Sequence, residues 1–211
     1  MKLTHLFKNN RSRKGTRNHA SKNAIFATLL FLSPSASSAF DFEVNANAHA
    51  DELRATSLLT ALSNPDSKAT AQDVVAAAQA DYARLVGLMY DRGYFSPQVS
   101  ILIDGREAAS LSPVRAMAAI GSVQVNVRTG PDFRFGRARI LPVPNSAELP
   151  AAFATGENAS TGTLKETVEA GITSWRSVGH AKARLASQDI VARHGVARLD
   201  ADIRLAPGPR L

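Results

Sequence analysis

Cysteine is absent from this chain of 211 residues, so neither disulfide staples nor thiolate metal sites contribute to it. No Gly-x-Gly-x-x-Gly or Gly-x-x-x-x-Gly-Lys pattern occurs, which removes the usual backbone cradles for a dinucleotide or a nucleotide phosphate. Histidine is sparse. His5 and His19 fall near the start, and His49, His180 and His194 lie in connections and turns, without the i, i+4 pairing of a metal site. The sequence offers no convergent nucleophile and base, and no carboxylate pair with a catalytic role. The expectation is a protein that is not an enzyme, with no catalytic, cofactor-binding or metal residues and no cofactor.

Long hydrophobic runs are missing too. The run from Ala24 to Leu32 has nine residues, about half of the roughly 20 needed to span a bilayer as a helix, and no later segment is apolar enough to cross. Basic charge is in excess, with 25 Lys and Arg against 18 Asp and Glu, but its location argues against a nucleic-acid partner. Lys2, Lys8, Arg11, Arg13, Lys14, Arg17 and Lys22 all precede the first acid, Asp41, and 25 less these seven equals the 18 acids. Basic, then apolar, then small residues ending at Ser37-Ser38-Ala39 is the order of a secretory signal peptide. Residues 1–39 are therefore read as that leader and the remainder as exported. The absence of an Arg-Arg pair favours export of an unfolded chain.

What remains is patterned. Phe40, Phe42 and Val44 alternate with Asp41, Glu43 and Asn45, the period of a half-buried strand. Leu53, Leu58, Leu59 and Leu62 predict one helix over Asp51 to Leu62, ended by Asn64-Pro65. Thr70 with Asp73 opens a longer helix whose stripe is Val74, Val75, Ala78, Tyr82, Leu85, Val86 and Met89, closed at Gly93 with Pro97 beyond. Strands follow at Val99 to Ile103, ending in the turn Asp104-Gly105, and, after a small-residue connection, at Val123, Val125 and Val127.

The order then begins again. "FRFGRARI" at Phe133 to Ile140 repeats the opening strand, with a bulge expected at Gly136. The place of the first helix is taken by a Pro- and Ala-rich stretch with room for a turn or two. Thr163 with Glu166 predicts a capping box for a helix carrying Leu164, Val168, Ile172 and Trp175, closed by Gly179. A strand of irregular alternation runs from Ala181 to the turn at His194-Gly195, and Ala197, Leu199, Ala201, Ile203 and Leu205 mark the last strand. Gly130-Pro131 and Gly208-Pro209 each end a last strand, with Phe133 and Leu211 where a next first strand would begin. Two units are expected, 40–130 and 131–209, with 210–211 as the start of a missing third repeat.

Residues 40–211 resemble the POTRA (polypeptide-transport-associated) repeats of bacterial outer-membrane-protein assembly factors, and among these the TamA-like subunits. The most specific elements are Leu88 to Phe95, which ends the long helix, and "GPDFRFG" from Gly130 to Gly136. The resemblance implies an α+β fold of two tandem β-α-α-β-β units, each a three-stranded sheet with helices on one face. It also implies a periplasmic location at the outer membrane. The partners it implies are unfolded outer-membrane or autotransporter polypeptides and an inner-membrane-anchored TamB-like subunit; the membrane barrel of such factors is absent from this chain. A POTRA-like adaptor of a cell-division or two-partner-secretion protein is the alternative.

A small sheet covered on one face leaves an edge whose backbone groups can pair with any extended segment. The family's edge is the strand after the long helix, which maps to Val99, Ser100, Ile101, Leu102 and Ile103, the candidate docking strand, and to Ala183 to Ala186 in the second unit, where Lys182 and Arg184 look like edge protection. Gly130, Pro131, Phe133, Phe135 and Gly136 form the expected junction, which should restrict the relative orientation of the units. Asp200 and Asp202 with Arg198 and Arg204 are read as a solvated face of cross-strand charges, and Trp175 as a core residue rather than a stacking platform.

Overall fold

Alternating apolar residues and one good helix cap account for most of the first half of the fold. The structure, a computed structural model, describes residues 40–112 and 119–210; the expected signal peptide, 1–39, and Leu211 lie outside the described residues. Strand β1 (Asp41–Ala46) is followed by helices α1 (Ala50–Thr56), α2 (Leu59–Leu62) and α3 (Ala71–Asp91). Then come strands β2 (Gln98–Ile103), β3 (Arg106–Glu107) and β4 (Ser122–Arg128). They form a sheet in the order β1-β4-β2-β3, with β1 parallel to β4 and β2 antiparallel to it.

Helix α3 is the backbone of this half. The Thr70 side chain accepts from the Asp73 N–H while the Asp73 carboxylate accepts from the Thr70 N–H at 2.8 Å, a reciprocal capping box. Its expected stripe faces inward: Val74, Val75, Ala78, Leu85 and Met89 are buried. They pack on Ile101, Ile103, Val123, Val125 and Val127 from the sheet.

Two expectations are corrected in this half. The single helix over Asp51 to Leu62 is broken at Ser57 and Leu58, where Ser57 adopts extended backbone. The cause is a buried carboxylate on α3: Asp81 accepts the Ser57 hydroxyl at 2.5 Å and the Leu58 N–H at 3.0 Å. The break turns Leu58 outward, 39% exposed, and leaves Leu53 and Leu59 as the buried pair. The connection after Ile103 also contains β3, because Asp104 and Gly105 take φ of 48° and 75° and close a tight hairpin. The first sheet thus has four strands rather than three.

The second half repeats the plan with fewer helices. Strand β5 (Arg134–Leu141), helix α4 (Thr161–Ser177) and strands β6 (Arg184–Arg193) and β7 (Arg198–Ala206) give a sheet in the order β5-β7-β6. As in the first sheet, the opening strand lies parallel to the last strand, and the strand after the long helix forms the opposite flank. The register shift between Phe135 and Arg137 places the expected bulge at Gly136.

Residues 142–160 hold turns but no helix. Helix α4 begins three residues earlier than a cap at Thr163 predicts, because the Ser160 hydroxyl accepts the Thr163 N–H at 3.0 Å and serves as the N-cap. Its fully buried positions are Thr167 and Gly171. Leu164, Val168, Ile172 and Trp175 flank them, half-buried against Ile140, Ile203 and Leu205. Trp175 is pinned by its indole N–H, which donates to the Pro142 carbonyl at 2.8 Å. Among the described residues no helix is long and apolar enough to cross a membrane.

Candidate functional site

Val99 to Ile103, expected to form an open edge, do lie on one strand, and the structure gives that strand a partial cover of its own. Ile103 pairs with Arg106 and Leu102 with Glu107 in β3. The Glu107 side chain extends the cover upstream: its carboxylate accepts the Ile101 N–H at 3.2 Å and the Ser100 hydroxyl at 2.9 Å. The Tyr82 hydroxyl on α3 donates to the same carboxylate and accepts from the Ile101 N–H at 3.3 Å. Gln79 ties down the chain just beyond, donating to the carbonyls of Ala108 and Leu111 at 3.0 and 2.8 Å. The edge groups of Ile101, which an incoming strand would need, are already held by side chains.

This cluster should be visible in titrations. Burial, followed by the hydrogen bond to Glu107, pushes the Tyr82 phenol up to about 12. For Glu107, burial acts to raise the carboxyl, but hydrogen bonds from Tyr82, Ser100 and the Ile101 N–H together outweigh it and hold it below the usual range. The Tyr82 contribution is complete below the unfolded phenol value near 10 and is lost as pH rises toward about 12. The Glu107 contribution has the opposite sense, present above the unfolded carboxyl value and lost as pH falls through the folded one. An alkaline titration followed by phenolate absorbance should show one of the three tyrosines ionising late, and that phase should vanish in Tyr82→Phe. Three tyrosines titrating together would refute the cluster.

Strand β6 is different. It is ten residues long, mostly exposed, and its outer edge has no strand partner among the described residues. The edge expected at Ala183 to Ala186 is only its beginning: Ala183 is buried before the strand starts, and a register shift between Leu185 and Ser187 bulges Ala186. That bulge is why the alternation reads as irregular in the sequence. Beside the edge runs a groove of about 390 Å³ against α4, floored by Leu164, Val168, Leu185 and Ile190 and rimmed by Lys165 and Glu169. Sequence reasoning weighted this edge less because of Lys182 and Arg184, and gave no sign of the groove, which exists only once α4 lies across the sheet.

On the other face of this sheet, Asp200 and Asp202 form the expected cross-strand charge array, with different partners. Arg137 and Arg139 on β5 hold Asp202 at 2.7 and 2.8 Å, and Arg193 on β6 holds Asp200 at 2.6 Å. Arg198 and Arg204 share β7 with the aspartates, whereas the partners come from the flanking strands, as cross-strand pairing requires. Burial acts to raise Asp202, but the bonds from Arg139 and Arg137 outweigh it and keep its carboxyl low. Among the described residues no group of three or more His, Asp or Glu is placed to hold a metal.

The junction residues meet as a layer between the two sheets. Gly93, at φ 93°, ends α3 with its carbonyl accepting the Phe133 N–H at 2.8 Å. A Cβ there would stand 2.7 Å from the Ala159 carbonyl oxygen, so only glycine fits. Gly130, at φ 74°, passes equally close to Ser96, with 2.8 Å between a built Cβ and its Oγ. Pro131 leads through Asp132, which bridges to Tyr94, into Phe133 and Phe135, both wholly buried. Tyr90 stacks on Phe95 at 5.2 Å, Phe95 tilts onto Phe133 at 5.5 Å, and His194 meets Phe133 edge-to-face at 5.5 Å. Gly136 marks the bulge, pressed against Asp200.

The class these features define is a tandem of helix-covered α+β sheets of common topology with an uncovered backbone edge. No family model matches the sequence, and no curated protein matches it either. Among solved structures, the chain is similar to POTRA domains 3–5 of BamA from Haemophilus influenzae (TM-score 0.48, 13% identity, 82% of this chain and 67% of that one). It is also similar to POTRA domains 1–2 of Omp85 from Anabaena (0.40, 14%, 82% and 96%) and to domains 1–3 of the same protein (0.39, 14%, 80% and 60%).

Proposed function

We propose that this chain is a polypeptide-docking module that binds extended segments by strand addition along β6, with alternate guest side chains entering the groove under α4. The observation that carries this reading is the ten-residue unpaired edge lying beside an apolar groove. Backbone hydrogen bonds supply sequence-independent affinity there, and the groove adds a preference for alternating apolar residues. The self-capped edge over Ile101 to Ile103 makes β2 the poorer template, so docking is assigned to β6 rather than to Val99–Ile103. We put the boundary between two POTRA-like units at Gly130-Pro131; the support for it is that this dipeptide lies between β4 and β5.

With the leader read from the sequence, the module belongs in the periplasm, as part of a TamA-like outer-membrane assembly factor whose clients are unfolded outer-membrane or autotransporter polypeptides. A TamB-like inner-membrane subunit is the proposed second partner. No catalytic step and no cofactor is part of the proposal.

Hydrogen exchange with and without a soluble peptide of alternating valine and threonine tests the mechanism. Alternate amides of Gln188 to Val191 should slow when peptide is added, because only every second N–H of an antiparallel strand points to its outer side. Protection mapping to Gln98–Ile103, or to neither strand, would defeat the assignment.

A further inference from the structure

Phe95 follows α3 and belongs by sequence to the first sheet's half of the chain, yet it lines the groove of the second. It is 9% exposed and held between Tyr90 and Phe133. The neighbouring contacts fix its position relative to α4. The Thr161 hydroxyl at the start of α4 donates to Asp91 at the end of α3, Lys165 approaches the same carboxylate at 3.9 Å, and Phe133 is bonded to Gly93.

Along the groove, Phe95 and Leu164 cluster with Ile190 at the junction end, whereas Val168 packs with Leu185 at the other. We infer that Phe95 is a specificity-determining residue for the docked segment, supplied across the junction, which limits the guest side chain accepted at the junction end of the groove to a small aliphatic one. This rests on the docking reading above.

The physical argument is one of spacing and fill. A guest strand rises about 3.4 Å per residue, so side chains entering the groove stand about 6.8 Å apart, and the stretch from Leu185 to Ile190 takes two or three of them. One meets Leu185 and Val168; another meets Phe95, a wall whose aromatic neighbours leave it little freedom to yield. An apolar floor beside an unpaired backbone edge fits a segment of another polypeptide with apolar residues at alternate positions, and this is the occupant assigned. Lys182 and Arg184 stand at the opposite end with no ion-pair partner among the described residues, which favours an acidic residue at that end of the guest. The groove is complete only while the two sheets keep their present orientation, so a tandem is needed to make one site.

The test uses the full chain and labelled peptides that alternate threonine with valine, carry a terminal glutamate, and have each valine replaced in turn by alanine, leucine, phenylalanine or tryptophan. Binding is read by fluorescence anisotropy for the wild type, Phe95→Ala and Phe95→Leu, with circular dichroism as the folding control. The wild type should disfavour tryptophan against valine by about tenfold at one terminal apolar position. Both variants should abolish or reverse that preference there and leave the other positions unchanged. Preferences unaltered at every position, or an equal loss of affinity for all peptides, would overturn the inference while leaving strand addition intact. Failure of the wild type to bind any of these peptides would remove the docking reading and this inference with it. Should Phe95→Ala fail to fold, Phe95→Leu decides.

Discussion

Replacing Phe133 by alanine is expected to cost about 3–5 kcal/mol, the range for removing a wholly buried phenylalanine, and to be the most damaging single truncation in the chain. Phe133 is fully buried, touches Phe95 and His194 with its ring, and has both backbone groups engaged, the N–H with Gly93 and the carbonyl with the Ala159 N–H at 2.9 Å. The backbone bonds hold the chain in place after truncation, so the void cannot collapse and its cavity cost adds to the lost burial. Domains of this size have about 5–15 kcal/mol of stability in total, so urea unfolding of Phe133→Ala should show a midpoint reduced by a large fraction. Phe42→Ala is the comparison, since Phe42 is only partly buried against the first core. A midpoint shift for Phe133→Ala no larger than that of Phe42→Ala would show that the junction layer is not the packed element described here.

The second large effect is expected at Asp81, for a polar reason. Its carboxylate is wholly buried and accepts from the Ser57 hydroxyl and the Leu58 N–H, with Arg84 at 3.8 Å on the exposed side. Alanine there strands the buried Ser57 hydroxyl, at about 1–3 kcal/mol for a donor left unpaired, and frees the partly buried Leu58 N–H at a smaller cost. A loss near 3 kcal/mol is expected for Asp81→Ala, on the same principle, with Asp81→Asn intermediate because its amide oxygen can still accept. A thermodynamic cycle with Ser57→Ala separates this from a generic helix effect. The two substitutions should be strongly non-additive, since they remove one shared contact. Full additivity would mean that the break between α1 and α2 is held by something else.

Both residues show where sequence reading stops. Phe133 was legible as the opening of a repeat, because Gly-Pro followed by an apolar residue recurs at the end of the chain, but not as the centre of an aromatic layer to which Tyr90 and Phe95 contribute from the end of α3 and His194 from the turn after β6. Asp81 stands three residues after Ala78 and four before Leu85, so helical periodicity places an acid on the buried stripe but does not show which donors satisfy it. Its demand for donors overrode the propensity of "DELRATSLLTAL" to run as one helix. The shift of the α4 cap from Thr163 to Ser160 is a smaller case of the same kind, since several hydroxyls compete locally and packing selects among them.

By itself the sequence determined what short-range physics controls. The alternation of Phe40 to Val44, of Val123 to Val127 and of Leu199 to Leu205 specified strands and their buried faces, Thr70 with Asp73 and the glycines at 93 and 179 bounded helices, and the doubled order gave two sheets of one topology. Which edge stays open was decided only by the tertiary structure. An edge is closed or left free by groups brought from elsewhere, here Tyr82 and Glu107 over Ile101, and by the absence, among the described residues, of a strand partner beside β6. Pairing at a sheet margin depends on contacts between segments far apart in the chain, and no local pattern encodes them.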